Sequence, residues 1–193
     1  MTDQTPTGSG TVSVHVDGAV RTVTLNRPEK SNAMDADMLR ALEVAFNPVP
    51  GPGPEERVAV IRAEGRVFCS GLDLRGSLGR DQDVKELFHR VETWPLPVVA
   101  VVQGAAIAGG NELALHCDLV VASEEARFGM SLAQVGLAPS WFLTKKLLEV
   151  GGPGTFGRSL NSLACGGHLA LIGVLTGFGH PDSSLFPLVS KNA

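Results

Sequence analysis

Val98-Val99-Ala100-Val101-Val102 runs through Gln103 into Gly104-Ala105-Ala106-Ile107-Ala108-Gly109-Gly110-Asn111-Glu112-Leu113-Ala114-Leu115-His116-Cys117-Asp118. The first five residues are all apolar, as expected of a buried parallel strand. Gly104 to Gly110 is a loop of small residues, and Asn111 to Cys117 opens as a helix. Leu119 to Ala122 then returns as another buried strand. Strand, helix and strand in so short a span point to α/β architecture.

The segments on either side fit that class. After a loose, disordered N-terminus over residues 1–10, Val12, Val14 and Val16 alternate with polar residues, a strand pattern. Asp17-Gly18 is a hairpin signal, and a second strand covers Ala19 to Asn26. Asn26-Arg27-Pro28 breaks it. Met34, Met38, Leu42, Ala45 and Phe46 predict a helix from about Met34 to Phe46, with Asn32 or Asp35 as N-cap. The proline-rich run Asn47 to Glu56 reads as a stiff loop, followed by a strand at Arg57 to Ala63. Phe68 to Leu74 reads as a turn, and Asp83 to Glu92 as a helix ended by Trp94-Pro95-Leu96-Pro97.

From Gly151 the texture changes. Phe156, Leu160 and Leu163 stand at helical spacing, Gly166-Gly167 ends that helix, and His168 to Val174 forms a strand. One α-β unit of this size is too small to fold alone. The expected organisation is a main domain over residues 11–150 and a fragment over residues 151–193.

Composition narrows the function classes. The formal charge is −4, tyrosine is absent, and the aromatic residues are eight Phe and two Trp. A nucleic-acid surface would carry more positive charge and more rings, so no nucleic-acid partner is expected. Cys69, Cys117 and Cys165 are far apart and show no CxxC spacing, which suits reduced thiols in the cytoplasm. The N-terminal MTDQTPTGSG has no apolar core and Val98 to Ala108 is too short to span a bilayer. Neither a leader nor a membrane partner is expected.

Chemistry concentrates in two places. Gly109 and Gly110 let a backbone approach a ligand closely. A helix starting there points unpaired N–H groups at whatever occupies that space, which is the physics of an oxyanion hole. Glu112, in the first helical turn, is placed to move a proton beside a polarised carbonyl. The same residues taken alone also suit a tight helix start, with Glu112 serving the helix end. In Phe68-Cys69-Ser70-Gly71-Leu72-Asp73-Leu74, the Ser70 N–H could reach the same oxygen; the alternative is a turn with Asp73 as local cap. Ser70 lacks the flanks of a G-x-S-x-G elbow, so a serine hydrolase has little support. Glu112 and His116 share a helix face, but two ligands without a third do not make a metal site, and none is expected.

Four motifs in order resemble the crotonase superfamily, the enoyl-CoA hydratases and isomerases. Asn26-Arg27-Pro28-Glu29-Lys30-Ser31-Asn32-Ala33 is similar to its NRPxxxNA signature, and Phe68 to Leu74 to its FxxGxDL segment. Gly104 to Asp118 is similar to its GxxxGGGxELAxxCD block, and Ala126-Arg127-Phe128-Gly129 to its AxFG. The resemblance covers about residues 12–149. It implies a spiral of ββα units and an acyl-CoA thioester substrate whose enolate is held by the N–H groups of Ser70 and Gly109. Glu112 takes the first catalytic-glutamate position. Lys30, Ser31, Phe68 and Leu72 would lie along the coenzyme A, which enters as part of the substrate rather than as a separate cofactor.

Two departures accompany the resemblance. Leu132 occupies the position where the family's hydratases carry a second glutamate, and leucine cannot transfer a proton. The family's C-terminal helices, which close the acyl pocket and build its trimer, are not recognised after Val150, so the expectation is a C-terminally truncated fold with a weakened or lost trimer. Residues 151–193 resemble instead part of the nucleotide-binding domain of a medium-chain, zinc-type alcohol dehydrogenase, without its GxGxxG turn or zinc ligands. The chain reads as a fusion of two fragments. Its function is expected to be that of an enoyl-CoA hydratase or isomerase, the alternative being a non-catalytic acyl-CoA binder or an inactive truncated product.

Overall fold

The computed structural model describes residues 10–47, 56–73, 75, 81–131 and 140–151. Two compact units divide the chain, one reaching Gly129 and the other starting at Met130.

The first unit holds two sheets. β1 (Val12–Asp17) and β2 (Val20–Leu25) form an antiparallel hairpin, with Val12 opposite Leu25. β3 (Val58–Ala63), β5 (Val98–Val102) and β7 (Leu119–Ala122) continue that sheet in parallel, in the order β1-β2-β3-β5-β7. β4 (Val67–Cys69), β6 (Ala105–Ile107) and β8 (Arg127–Gly129) form a second, all-parallel sheet. From β3 onward successive strands therefore alternate between the sheets, and helices α2 (Asp81–Glu92) and α3 (Gly109–Leu115) each close one such pair. This repeated strand-strand-helix unit is the ββα expectation realised in the described residues.

Helix α1 (Ala36–Ala45) shows how the sequence builds an element. The Asp35 side chain accepts from the Met38 N–H at 2.9 Å, so Asp35, of the two candidates, is the N-cap. Met38, Leu39, Leu42 and Ala45 are buried along one face, which packs on β1, β2 and α2. Asn32 serves elsewhere, and Met34 lies outside the helix predicted to contain it.

The strand predictions need two corrections. β5 and β7 are apolar throughout but not buried throughout. Val98, Ala100 and Val102 are buried while Val101 is exposed, so β5 alternates like a strand with one covered face. All four residues of β7 are exposed, and among the described strands β7 pairs with β5 alone and ends the sheet. The segment read as a turn holds the last two residues of the three-residue strand β4, and the small-residue loop contains the three-residue strand β6. Helix α3 starts at Gly109, earlier than predicted.

In the second unit, α4 (Trp141–Gly151) is capped by Ser140, whose Oγ accepts from the Leu143 N–H at 3.2 Å. Leu143 and Leu147, one turn apart, are buried, and Trp141 is exposed. No described helix is long and apolar enough to cross a membrane. The predicted helix and strand beyond Gly151, the loose N-terminal residues before Gly10 and Leu132 lie outside the described residues.

Candidate active site

Because β4 and β6 are neighbours in the parallel sheet, the chain leaves both at the same edge. Ser70-Gly71-Leu72-Asp73 follows β4, and Ala108-Gly109 follows β6. The two segments touch. A Cβ built on Gly71, whose φ is +98°, would lie 3.1 Å from the Gly109 nitrogen and 3.0 Å from the Ala108 Cβ. A Cβ built on Gly109 would lie 3.4 Å from the Gly71 Cα and 3.6 Å from the Leu72 nitrogen. Glycine at both positions allows this close approach.

A third segment aligns the first. Met34 N–H donates to the Gly71 carbonyl at 2.8 Å, and Asp73 N–H donates to the Met34 carbonyl at 2.9 Å, a one-residue parallel bridge. In a parallel ladder the groups on either side of a residue face one neighbour while its own N–H faces the other way. Gly71 C=O and Asp73 N–H face Met34, so the Leu72 N–H points away from Met34. Among the described residues, neither the Leu72 N–H nor the Gly109 N–H has an acceptor. The Ser70 N–H does: it donates to the Ser31 carbonyl at 3.1 Å.

That bond corrects the sequence-based assignment of Ser70. Its amide is already engaged in holding the Ser31 loop, whereas the Leu72 amide, on the same segment, is open and its nitrogen would lie 3.6 Å from a Cβ on Gly109. The sequence placed Leu72 along the ligand but did not assign its N–H. The orientation of that N–H depends on the Met34 bridge, and Met34 was read as helical.

Side chains lock the loops in place. Asn32, fully buried with φ +52°, accepts from the Arg27 N–H at 2.8 Å. Its amide donates to the carbonyls of Glu64 at 2.9 Å and Val67 at 2.8 Å, tying the loop to the β3–β4 connection. Arg27 donates to the Ala33 carbonyl at 2.7 Å and pairs with Asp35 and Asp73, each at 3.2 Å. Its guanidinium holds the Asp73 carboxyl below the usual carboxylate range, helped by the Arg75 N–H. The Met34 side chain, fully buried, brings its Cε to 2.9 Å from where a Gly109 Cβ would stand. None of these partnerships carries a periodic signal in the sequence.

Glu112 lies one turn along α3 from Gly109, its N–H donating to the Ala108 carbonyl at 3.0 Å. Burial raises its carboxyl to about 7, while the charge of Lys85 pulls it down. A carboxyl near neutrality can both take and return a proton. Beneath the site, burial pushes the Cys69 thiol up to about 12, so it stays protonated and unreactive. Ala108 itself has φ +50° and ψ −120°, a costly conformation for any residue with a Cβ, held where the chain turns into α3.

The remaining predicted ligand residues differ in exposure and surroundings. Lys30 is exposed at the end of a short 3₁₀ turn, Pro28–Lys30, and Ser31 follows it with φ +53°. Phe68 is fully buried in β4, so its side chain fills the core rather than lining a ligand surface. His116 is buried against α2. Among the described residues, no three His, Cys, Asp or Glu side chains are grouped to hold a metal ion.

Comparison with known proteins agrees with this geometry. Residues 15–153 match the family model described as enoyl-CoA hydratase/isomerase. A Thermus thermophilus protein bearing the enoyl-CoA hydratase name is 39% identical over 130 residues, covering 62% of this chain and 51% of that one. The short-chain-enoyl-CoA hydratase of Clostridium acetobutylicum is 30% identical over 156 residues, covering 74% and 58%. The chain thus spans little more than half the length of these relatives. Among solved structures, an enoyl-CoA hydratase from Bacillus anthracis superposes with a TM-score of 0.69 at 26% identity, covering 77% of this chain and 61% of that one. A Thermobifida fusca protein of the same name, solved in complex with acetoacetyl-CoA, gives 0.67 at 29%, covering 79% and 65%. The resemblance of residues 151–193 to an alcohol dehydrogenase has no counterpart in these matches, and the family match ends at residue 153. By the family model and by its two interleaved sheets, the chain belongs to the enoyl-CoA hydratase/isomerase family.

Proposed function

We propose that this chain acts on an acyl-CoA thioester as a hydratase or isomerase. The observation that carries the reading is the pair of open backbone amides, Leu72 N–H and Gly109 N–H, brought side by side one turn from a carboxyl poised at about 7. The thioester carbonyl oxygen would accept from both amides, and they would bind it more strongly as it gains enolate charge. Glu112 would then exchange a proton with the carbon chain or with water. In hydration, the carboxylate takes a proton from water as the hydroxyl joins the β-carbon. The enolate then collapses, taking a proton at the α-carbon, and Glu112 is the group available to return it. Isomerisation needs only the removal and return of a proton at different carbons, which one carboxylate can perform. The acetoacetyl-CoA bound to the Thermobifida fusca relative supports the ligand class.

A second reading, a binder without turnover, is favoured by Leu132, which cannot share the proton work of hydration. One experiment separates the two: crotonyl-CoA is offered to the full-length chain and to Glu112→Gln, with binding measured by calorimetry and turnover by loss of the conjugated thioester. Turnover that disappears in Glu112→Gln while binding persists supports the enzyme. Binding without turnover in the wild type supports the binder.

A further inference from the structure

Arg27 is anchored at its backbone and reaches across the Met34–Leu72 bridge with its side chain. The Arg27 N–H donates to Asn32 Oδ1 at 2.8 Å, and its carbonyl accepts from the N–H groups of Lys30 at 3.0 Å and Asn32 at 2.9 Å. From that root, Nη1 donates to the Ala33 carbonyl at 2.7 Å and Nη2 pairs with Asp35 Oδ2 at 3.2 Å. The residues on both sides of Met34 are thus held by one guanidinium. The same two nitrogens each lie 3.2 Å from Asp73 Oδ2, which holds the residue next to Leu72. The second oxygens of the two carboxylates are engaged as well. Asp35 Oδ1 accepts from the Met38 N–H at 2.9 Å, and Asp73 Oδ1 from the Arg75 N–H at 3.3 Å.

The bridge itself consists of two hydrogen bonds, from Met34 N–H to the Gly71 carbonyl and from Asp73 N–H to the Met34 carbonyl. A ladder one residue long has no further rungs to keep it closed, and pairings of that kind open locally at little cost. Yet this bridge is what turns the Leu72 N–H away from Met34. We propose that Arg27 is a positioning residue for the Leu72 amide: its guanidinium clamps Ala33 and Asp35 to Asp73 and so keeps the bridge closed. Arginine suits the task because one planar group carries five donors in fixed directions and meets three acceptors at once, whereas a lysine ammonium is a compact point charge. The Gly109 amide does not depend on the clamp, since the Ala108 N–H before it donates to the Gly129 carbonyl at 2.8 Å. Loss of Arg27 would therefore leave one fixed donor where the enolate oxygen needs two.

The catalytic consequence rests on the hole proposed above, but the clamp is tested without it. In the full-length protein, native-state hydrogen exchange followed by NMR reads the Met34 and Asp73 amides, the two donors of the bridge. In Arg27→Met and Arg27→Lys both should exchange at least about tenfold faster, beyond any common change in the amides of β3. Arg27→Lys keeps a positive charge between the two aspartates and decides the matter if Arg27→Met fails to fold. Bridge amides that stay protected in the folded variants, or that accelerate only in step with β3, would overturn the proposal. A second arm reads the hole with butyryl-CoA labelled with ¹³C at the carbonyl, a saturated thioester that cannot be hydrated. Its carbonyl stretch falls in frequency as the oxygen accepts hydrogen bonds. Arg27→Lys should keep about half of the wild-type displacement, with the Gly109 donor alone in place. A wild type without any displacement would count against the hole, and the exchange rates would still decide for or against Arg27. Where the wild type turns over crotonyl-CoA, kcat should fall about 10- to 100-fold in Arg27→Lys, with KM changed by no more than about threefold.

Discussion

The Ser70 N–H donates to the Ser31 carbonyl at 3.1 Å, and this single bond decides which amides the site can offer. It joins the Ser31 loop to the chain leaving β4, and the Met34–Leu72 bridge continues the same alignment. With Ser70 engaged there and the bridge facing Met34, the Leu72 nitrogen is left beside Gly109, 3.6 Å from where a Cβ on that glycine would stand.

Glu112 should make the protein less stable as pH rises. Its folded value, about 7, lies above its ordinary 4.5, so the folded state binds this proton more tightly than the unfolded one. The contribution is fully present below the ordinary value and is lost as pH rises through about 7, a difference on the order of 3 kcal/mol. Glu112→Gln should therefore unfold at higher denaturant than wild type at pH 8 and at nearly the same denaturant at pH 5. Urea melts at the two pH values check this, and a Gln variant weaker at both would contradict it.

Gly109→Ala should separate function from stability. The new methyl would meet the flexible end of Met34 at 2.9 Å and stand 3.6 Å from the Leu72 nitrogen, beside the proposed carbonyl position. Stability should change by no more than about 1 kcal/mol, because Met34 can repack. Turnover of crotonyl-CoA should fall by about 10- to 100-fold. Thermal unfolding and steady-state rates on the same preparation test both halves.

Ala108→Gly should stabilise the fold. At φ +50° and ψ −120° the alanine methyl is strained, and glycine removes the strain at the cost of a more flexible unfolded chain. The net gain expected is about 1 kcal/mol. A variant that melts below wild type would show that the methyl makes contacts worth more than the strain.

Asn32→Asp should be more damaging than its size suggests. Asn32 donates to two carbonyls and accepts one N–H while fully buried. An aspartate could still accept, but it would face two carbonyl oxygens with a buried charge, costing about 3 kcal/mol or more at neutral pH. Protonation should recover part of that loss, so the Asp variant should lie closer to wild type at pH 4 than at pH 7.

Some of this architecture was legible because it is written in side-chain periodicity. The Val12–Val16 alternation, the apolar run at Val98 and the spacing of Met38, Leu42 and Ala45 each announce a whole element. Glu112 and Gly109 were legible for a related reason: both sit in one continuous motif, so local sequence carries their relation. β4, β6 and β8 were not, because three residues are too few to show a period. β7 was expected to be buried because its residues are apolar, yet burial depends on what covers the faces of the sheet, which a strand's own residues do not encode. The same limit applies to the proposed hole. Whether Ser70 or Leu72 offers its amide depends on a bridge between residues 38 positions apart, which no local pattern encodes.

The alternation of strands between the two sheets has a consequence for how this fold tolerates change. Leu72 follows the short strand of one ββα repeat and Gly109 follows the short strand of the next, so the proposed hole is a seam between repeats and belongs to neither alone. The turn at Gln103 and Gly104 leaves no room for a longer chain: Gly104 is buried, a Cβ on it would lie 1.9 Å from the Arg66 carbonyl oxygen, and the Gln103 amide donates to the carbonyls of Ala63 and Gly65. Adding one residue inside β6 would reverse which amides face β4 and turn the Gly109 N–H out of the seam. An insertion in the turn should therefore cost stability, whereas one inside β6 should leave a folded protein that has lost its turnover.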